Sequence, residues 1–349
     1  MLSGQRERNK SVASARLCYA ALAVFLRGFE RCRTILTLVP SAPFKISFPR
    51  KLHLPCGALT AVVKRTLPPA LPIGAKKIRT TSAQGHGPRA VYWQIAPRRY
   101  RLYWSDAGTF DLDTQAARVT IHPERGATTS AVEEVMRGPV GSFTLIDHGF
   151  EPLHASCVWW RGRCVAFAGV SGAGKSSLCA YFCRKGAKLM ADDVLPLRYR
   201  GGRVQAHPGG KTIRITAKSA RALGMNPPVA GEEKATRAMA GALHARELAA
   251  IYVLKRRAAA RGVVRRQALT PAAAFPLLAS LTTNFSHTAP ARMANQIRTL
   301  GWLAENVPVF SLEYPSRFSA WEEIAELAAE AGVTATKKAP LAGAKGAFK

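Results

Sequence analysis

Acidic residues are scarce in this 349-residue chain. There are 21 Asp and Glu against 51 Lys and Arg, a formal net charge of +30. Such a surplus invites a nucleic-acid reading, but its distribution argues against a focused groove. Residues 1–80 hold fifteen Lys and Arg against two acids, and residues 336–349 hold four Lys and no acid. No RNA-binding motif or basic–aromatic repeat occupies the middle, so nucleic acid is not the expected partner. Cysteine pairs are also missing. Seven Cys are dispersed with no C-x-x-C and no Cys/His cluster, which excludes a zinc site by spacing and suits a reducing cytoplasm. Cys179 and Cys183, four apart, read as small packing residues.

Long apolar runs are absent too. Leu17 to Leu26, behind Arg6, Arg8, Lys10 and Arg16, has the outline of a signal sequence. Its ten residues fall short of the ~20 needed to cross a bilayer, Arg27 follows at once, and no A-x-A site is clear. Residues 1–85 are therefore expected to be a basic, poorly ordered extension, with membrane contact as the rival reading. Residues 334–349, rich in Lys, Ala and Gly, read as a disordered tail.

What the chain does have is GVSGAGKSS, Gly169 to Ser177, a full G-x-x-x-x-G-K-[ST] phosphate-binding loop. The residues expected to bind the cofactor are Gly169, Val170, Ser171, Gly172, Ala173, Gly174, Lys175, Ser176 and Ser177. Glycines let main-chain N–H groups turn inward around phosphate oxygens. Lys175 reaches the β and γ phosphates, and the Ser176 hydroxyl ligates Mg²⁺. The context fits: Cys164 to Ala168 is a short apolar strand, and Ser177 to Lys185 a helix stopped by Gly186. The cofactors expected are ATP and Mg²⁺. After the next strand, Lys188 to Ala191, come Asp192 and Asp193, where carboxylates meet metal and hydroxyl. His154, in LHASCV, sits one strand before the loop.

Taken together, LHASCV, GVSGAGKSS and RKGAKLMADDV resemble the catalytic domain of HPr kinase/phosphorylase and the HprK-related kinases. The likeness is dense over about 153–197 and looser to about 330. It implies His154 near the transferring phosphoryl group, Lys175 on phosphates, Ser176 and Asp192 at the metal, and Asp193 as general base toward a Ser hydroxyl. Arg246, in HARELAAIYVL, matches the family's active-site Arg before an apolar strand; an ordinary surface Arg is the alternative. Two departures stand out. Ser177 replaces the Glu that follows the Lys-Ser pair in the bifunctional enzymes. The stretch Gln205 to Arg214 lacks their downstream metal-binding Glu. Both count against phosphorylase activity and against HPr as substrate.

The remaining pattern gives a small β-rich unit at 86–147 and a catalytic domain at 148–333. Alternation over Ala90 to Ile121 marks an antiparallel sheet, and Ala131 to Arg137 a short helix broken by Gly138-Pro139. Further elements are the strand Ala249 to Leu254, a helix from Pro271 capped by Thr270, a helix Pro290 to Asn306, a strand Val309 to Leu312 and a helix Ser319 to Ala331. The expected fold is α/β: a P-loop kinase core with a mixed β-sheet and flanking helices behind a small β-rich domain. The expected activity is transfer of the ATP γ-phosphoryl group to a hydroxyl, Ser of a protein or peptide. A small-molecule kinase or plain NTPase, and a catalytically silent ATP-binding module, are the other readings. An LSGGQ signature is missing, which disfavours transporter ATPases. Homo-oligomerisation stays open.

Overall fold

The computed structural model describes residues 51–83, 86–229, 232–257, 262–282 and 289–330. All of them belong to one compact unit, which spans Ser47–Lys349. The N-terminal apolar run and the C-terminal tail lie outside the described residues.

Seven strands form the first sheet: β1 (Lys51–Leu54), β2 (Gly57–Val63), β3 (Lys76–Ala83), β4 (His86–Ala96), β5 (Arg99–Trp104), β6 (Gly108–Asp113) and β7 (Arg118–Pro123). Their order is β1-β2-β7-β6-β5-β4-β3. All neighbours run antiparallel except β2 and β7, which are parallel. Across the expected boundary at residue 85, β1 to β3 extend this sheet back to Lys51. Their signal is weak because β2 buries only Leu59 and Ala61, and β3 is Lys- and Thr-rich. Tyr92, Leu102, Phe110 and Ile121 fill the buried face.

A helical stretch covers that face: α1 (Thr129–Val135), a π turn (Met136–Val140) and α2 (Gly141–Asp147). Gly138-Pro139 does not end the helix as expected. One widened turn accommodates the proline, which has no N–H to give, and the chain continues helically. Phe143 packs against Tyr100 at 4.9 Å between ring centroids, and Asp147 accepts hydrogen bonds from Tyr100 (2.8 Å) and Thr114 (2.6 Å).

The second layer system contains β8 (Glu151–Leu153), β9 (Ala155–Trp160), β10 (Arg163–Ala168), α3 (Lys175–Arg184), β11 (Lys188–Ala191), β12 (Leu195–Arg200), β13 (Arg203–Ala206), β14 (Thr212–Thr216), α4 (Ala217–Ala222), β15 (Lys234–Ala238), β16 (Leu248–Arg257), β17 (Arg265–Ala268), α5 (Pro271–Ser280), α6 (Pro290–Asn306), β18 (Val309–Pro315) and α7 (Ala320–Glu330). The central sheet is ordered β11-β9-β10-β16-β18-β17. β10, β16 and β18 are parallel neighbours; β9 runs opposite to β10 and β11, and β17 opposite to β18. The result is a mixed α/β fold with several mixed sheets.

Alternation splits the central strands between two cores. Phe167 and Tyr252 face α3 and α7, meeting Leu178, Phe182, Trp321 and Ile324. Ala166, Ile251 and Val253 face α5 and α6, meeting Leu278, Leu300 and Leu303. The strand ending at Asp192 does not continue past it: β12 joins a separate sheet, β13-β12-β8, and β14 pairs with β15. Under the second core, Glu151 is fully buried and held by both Arg292 nitrogens and by Gln296.

Thr270 caps α5, its hydroxyl accepting from Ala273 N at 3.3 Å, with Pro271 at the first helical position. Thr270→Ala is expected to cost about 1 kcal/mol. Urea unfolding of both proteins measures this, and an unchanged midpoint would count against the cap.

Among the described residues, no helix is long and apolar enough to cross a membrane.

Candidate functional site

Strand direction brings the three sequence motifs to one end of the central sheet. β10 and β11 are parallel to each other, each antiparallel to the β9 that lies between them. Their C-terminal ends therefore meet the N-terminal end of β9. The glycine loop leaves β10, Asp192 and Asp193 leave β11, and His154 enters β9. This is the edge where open α/β sheets place their ligands.

The loop runs from Gly169 to α3, whose N-cap Gly174 is left-handed (φ 95°). A Cβ at Gly174 would stand 2.3 Å from the Tyr314 hydroxyl, which donates to Ala173 O. The loop thus needs glycine there for two reasons, backbone conformation and the approach of Tyr314. Val170, Ser171 and Gly172 are exposed at the tip and Ala173 is buried beneath it. The first N–H groups of α3 have no partner within the helix and carry its partial positive charge.

Lys175 is nearly buried, at 6% exposure. Its Nζ donates to Gly169 O (2.8 Å), Val170 O (3.1 Å) and His154 Nε2 (3.0 Å). Burial pulls its pKa down, and the carboxylates of Asp193 and Asp192 work against that. Because His154 Nε2 accepts, its Nδ1 carries the proton and donates to Asp193 O at 3.0 Å. Asp193 Oδ1 is 3.3 Å from the same nitrogen. His154 is thus held neutral: burial lowers its pKa, Asp193 opposes that, and Lys175 adds to it.

Asp192 and Asp193 are adjacent but differently placed. Asp192 accepts from Ser156 Oγ (2.6 Å) and from Arg214 N (3.0 Å), and the Ser176 hydroxyl also bonds it. Burial raises its pKa, which those hydrogen bonds counter. Asp193 has φ 70°, which swings its side chain out of strand geometry, 48% exposed and toward His154. The structure brings His154, Lys175, Ser176, Asp192 and Asp193 together.

Two further expected site residues make other side-chain contacts. Ser177 Oγ pairs with Ser219 Oγ at 2.7 Å, on the α4 side of the loop helix. Arg246 lies apart from the cluster: its guanidinium is 4.2 Å above the Trp159 ring. Trp159 is opposite Cys164 in register, at the far end of β9 from His154. Five residues at about 3.3 Å each put it roughly 16 Å along the strand. The motif before β16 is at that strand's start, and the loop end is at its finish.

Ser156 was missed as a site residue, although the signal is present. It is two residues from His154 on an extended chain, so both face the same side, and each meets one of the paired aspartates. Tyr314, which fixes Ala173 and Gly174, has no local signature because it lies 141 residues beyond Ala173.

The neutral state of His154 gives a pH test. Its folded pKa is below the ordinary 6.5, so the unfolded chain takes up a proton first as pH falls through 6.5. Stability from this residue is full above pH 6.5 and declines below it. Melting temperature is expected to drop more between pH 7.5 and 5.5 in wild type than in His154→Gln. Parallel curves would show that His154 is solvated, not buried.

No protein-family model and no curated protein matches the sequence. A solved structure of the HPr(Ser) kinase/phosphatase from Coxiella burnetii overlaps 51% of this chain and 88% of that one, at 14% identity and a TM-score of 0.29. An overlap at that score carries no argument for a shared function.

Proposed function

We propose that this chain transfers the terminal phosphoryl group of ATP to a hydroxyl, the Ser of a protein or peptide. The observation that supports this best is the convergence of Lys175, His154 and Asp193 at the exit of β10, under a loop with left-handed glycines. The residues present fit a magnesium nucleotide. Lys175 and the first N–H groups of α3 supply cationic and dipolar contacts to phosphates. Ser176 and Asp192 offer one hydroxyl and one carboxylate, which suits a cation that keeps several waters. Mg²⁺, when bound there, would neutralise developing phosphate charge.

The protein's own groups then have separate tasks. Asp193, exposed and beside His154, takes the proton of the acceptor hydroxyl. The acceptor oxygen forms the new bond to phosphorus as the bond to the leaving ADP oxygen breaks. Lys175 holds the phosphates in line, and neutral His154 fixes both Lys175 and the Asp193 turn. Ser156 holds Asp192 in place for the metal.

Purified protein should be incubated with Mg-ATP and Ser-bearing peptides, with phosphopeptide followed by mass spectrometry and ADP by a coupled assay. Phosphopeptide with matching ADP is the expected result. ADP release independent of acceptor would make the chain an NTPase, and nucleotide binding without turnover a silent module.

A further inference from the structure

A cavity of about 920 Å³ lies past β11, at the edge of the central sheet. Its walls include segments bonded to the β11 main chain: Gly209 N donates to Met190 O (2.8 Å) and Ala242 N to Leu189 O (2.7 Å). Across the sheet edge the order is therefore glycine loop, His154, the aspartate pair, then the cavity. A small space of about 30 Å³, lined in part by Asp192, Arg137, Gly209 and Thr212, adjoins it and shares the last three with it.

The lining carries one sign of charge. Lys51, Arg137 and Lys211 line the cavity with His53, His207 and His244, and no Asp or Glu is among its lining residues. Arg137 donates to Thr212 Oγ1 and is 3.7 Å from Glu133; Lys51 and Lys211 are exposed. Lys51 to Pro55 belong to the seven-stranded sheet and Met136 and Arg137 to the helical stretch that covers it, so that layer completes the wall.

Shape decides between anions. Among the described residues, β1 is the outermost strand of its sheet. The cavity touches all four of its residues, those pointing to either face, so it runs along the strand's edge. An edge strand offers main-chain groups to an added extended segment. The volume is near the top of the usual range for ligand sites, about 300–1,000 Å³, far more than a phosphate ion or a free amino acid fills.

We infer that this cavity is the acceptor groove and takes an acidic, extended, Ser-bearing peptide segment laid along β1. The inference rests on the phosphoryl-transfer reading for its chemistry but not for its binding.

Binding is measured on the full chain without nucleotide, by fluorescence anisotropy of a labelled nonapeptide with one Ser flanked by Glu. Analogues carry Gln or Lys in place of Glu. The acidic peptide is expected to bind, the Gln analogue about tenfold or more weakly, and the Lys analogue least of all. The double variant K51E/K211E should weaken the acidic peptide by about tenfold or more and improve the Lys analogue. Both positions are exposed, and the peptide series on wild type decides the matter even if the variant folds poorly. Lys175→Ala, inactive in transfer, should bind the acidic peptide like wild type, which separates failure of catalysis from failure of the groove. Equal binding of acidic and neutral peptides, no binding of the acidic one, or a charge reversal without effect overturns the inference. Displacement of the peptide by equimolar free phosphoserine also overturns it, in favour of a small anion.

Discussion

Lys175→Ala is expected to reduce phosphoryl transfer by roughly 10³-fold, the upper end of what losing one preorganised charge contact costs. The ammonium sits where the loop closes on itself, bonded to Gly169 O and Val170 O and to His154. A phosphate entering the loop exchanges with the two carbonyls for the hydrogens they hold. Alanine removes the charge and also frees the His154 ring, so the Asp193 turn loses one of its constraints. The fold should survive. Burial disfavours the charged lysine, and the neighbouring core of Leu178 and Phe182 does not depend on it. Turnover, together with the melting shift produced by Mg-ATP, checks this. Retained turnover would remove the loop from the active site. Lost turnover with an unchanged melting shift would confine Lys175 to the transition state.

The local motifs were legible because each is short and physically self-contained. The glycine loop must have a strand before it and a helix after it, and both are where the pattern puts them. Helices α5 and α6 were legible through Pro271, Thr270 and Pro290, which mark starts by missing donors and a capping hydroxyl. The failures have a common cause in distance along the chain. Resemblance reaches Arg246 only across a variable stretch, and the register of β16 against β10 puts it at the end of the sheet away from the loop. Pairing with β7 and β4, not their own composition, makes β2 and β3 strands, so composition alone gives an extension there. Pro139 looks like a break in sequence because a π turn is a tertiary solution, stabilised by burial of Met136 and Val140. The cavity beside β11 had no sequence signal at all, since its walls come from four separate stretches.

Asp193→Asn is expected to slow transfer by about 10²–10⁴-fold, the range for loss of a general base, while leaving Mg-ATP binding in place. The substitution is unusually clean here. Asp193 has φ 70°, a left-handed conformation that Asn adopts as readily as Asp. The main-chain carbonyl that accepts from His154 is retained, and so is the Asp193 N–H toward Ser156 Oγ. What is lost is a carboxylate able to take a proton. Asp192→Asn should behave differently, because its two oxygens are engaged by Ser156 and by Arg214 N and its carboxyl is shielded from water. An amide offers one acceptor oxygen in place of two and no charge for a cation, so this variant should shift the Mg²⁺ concentration dependence more than the limiting rate. Measuring kcat and the Mg²⁺ midpoint for both variants separates the roles. A normal rate for Asp193→Asn with a dead Asp192→Asn would reverse the assignment: the enclosed aspartate, whose pKa burial raises, would then be the group that moves the proton, and the exposed one the metal's anchor.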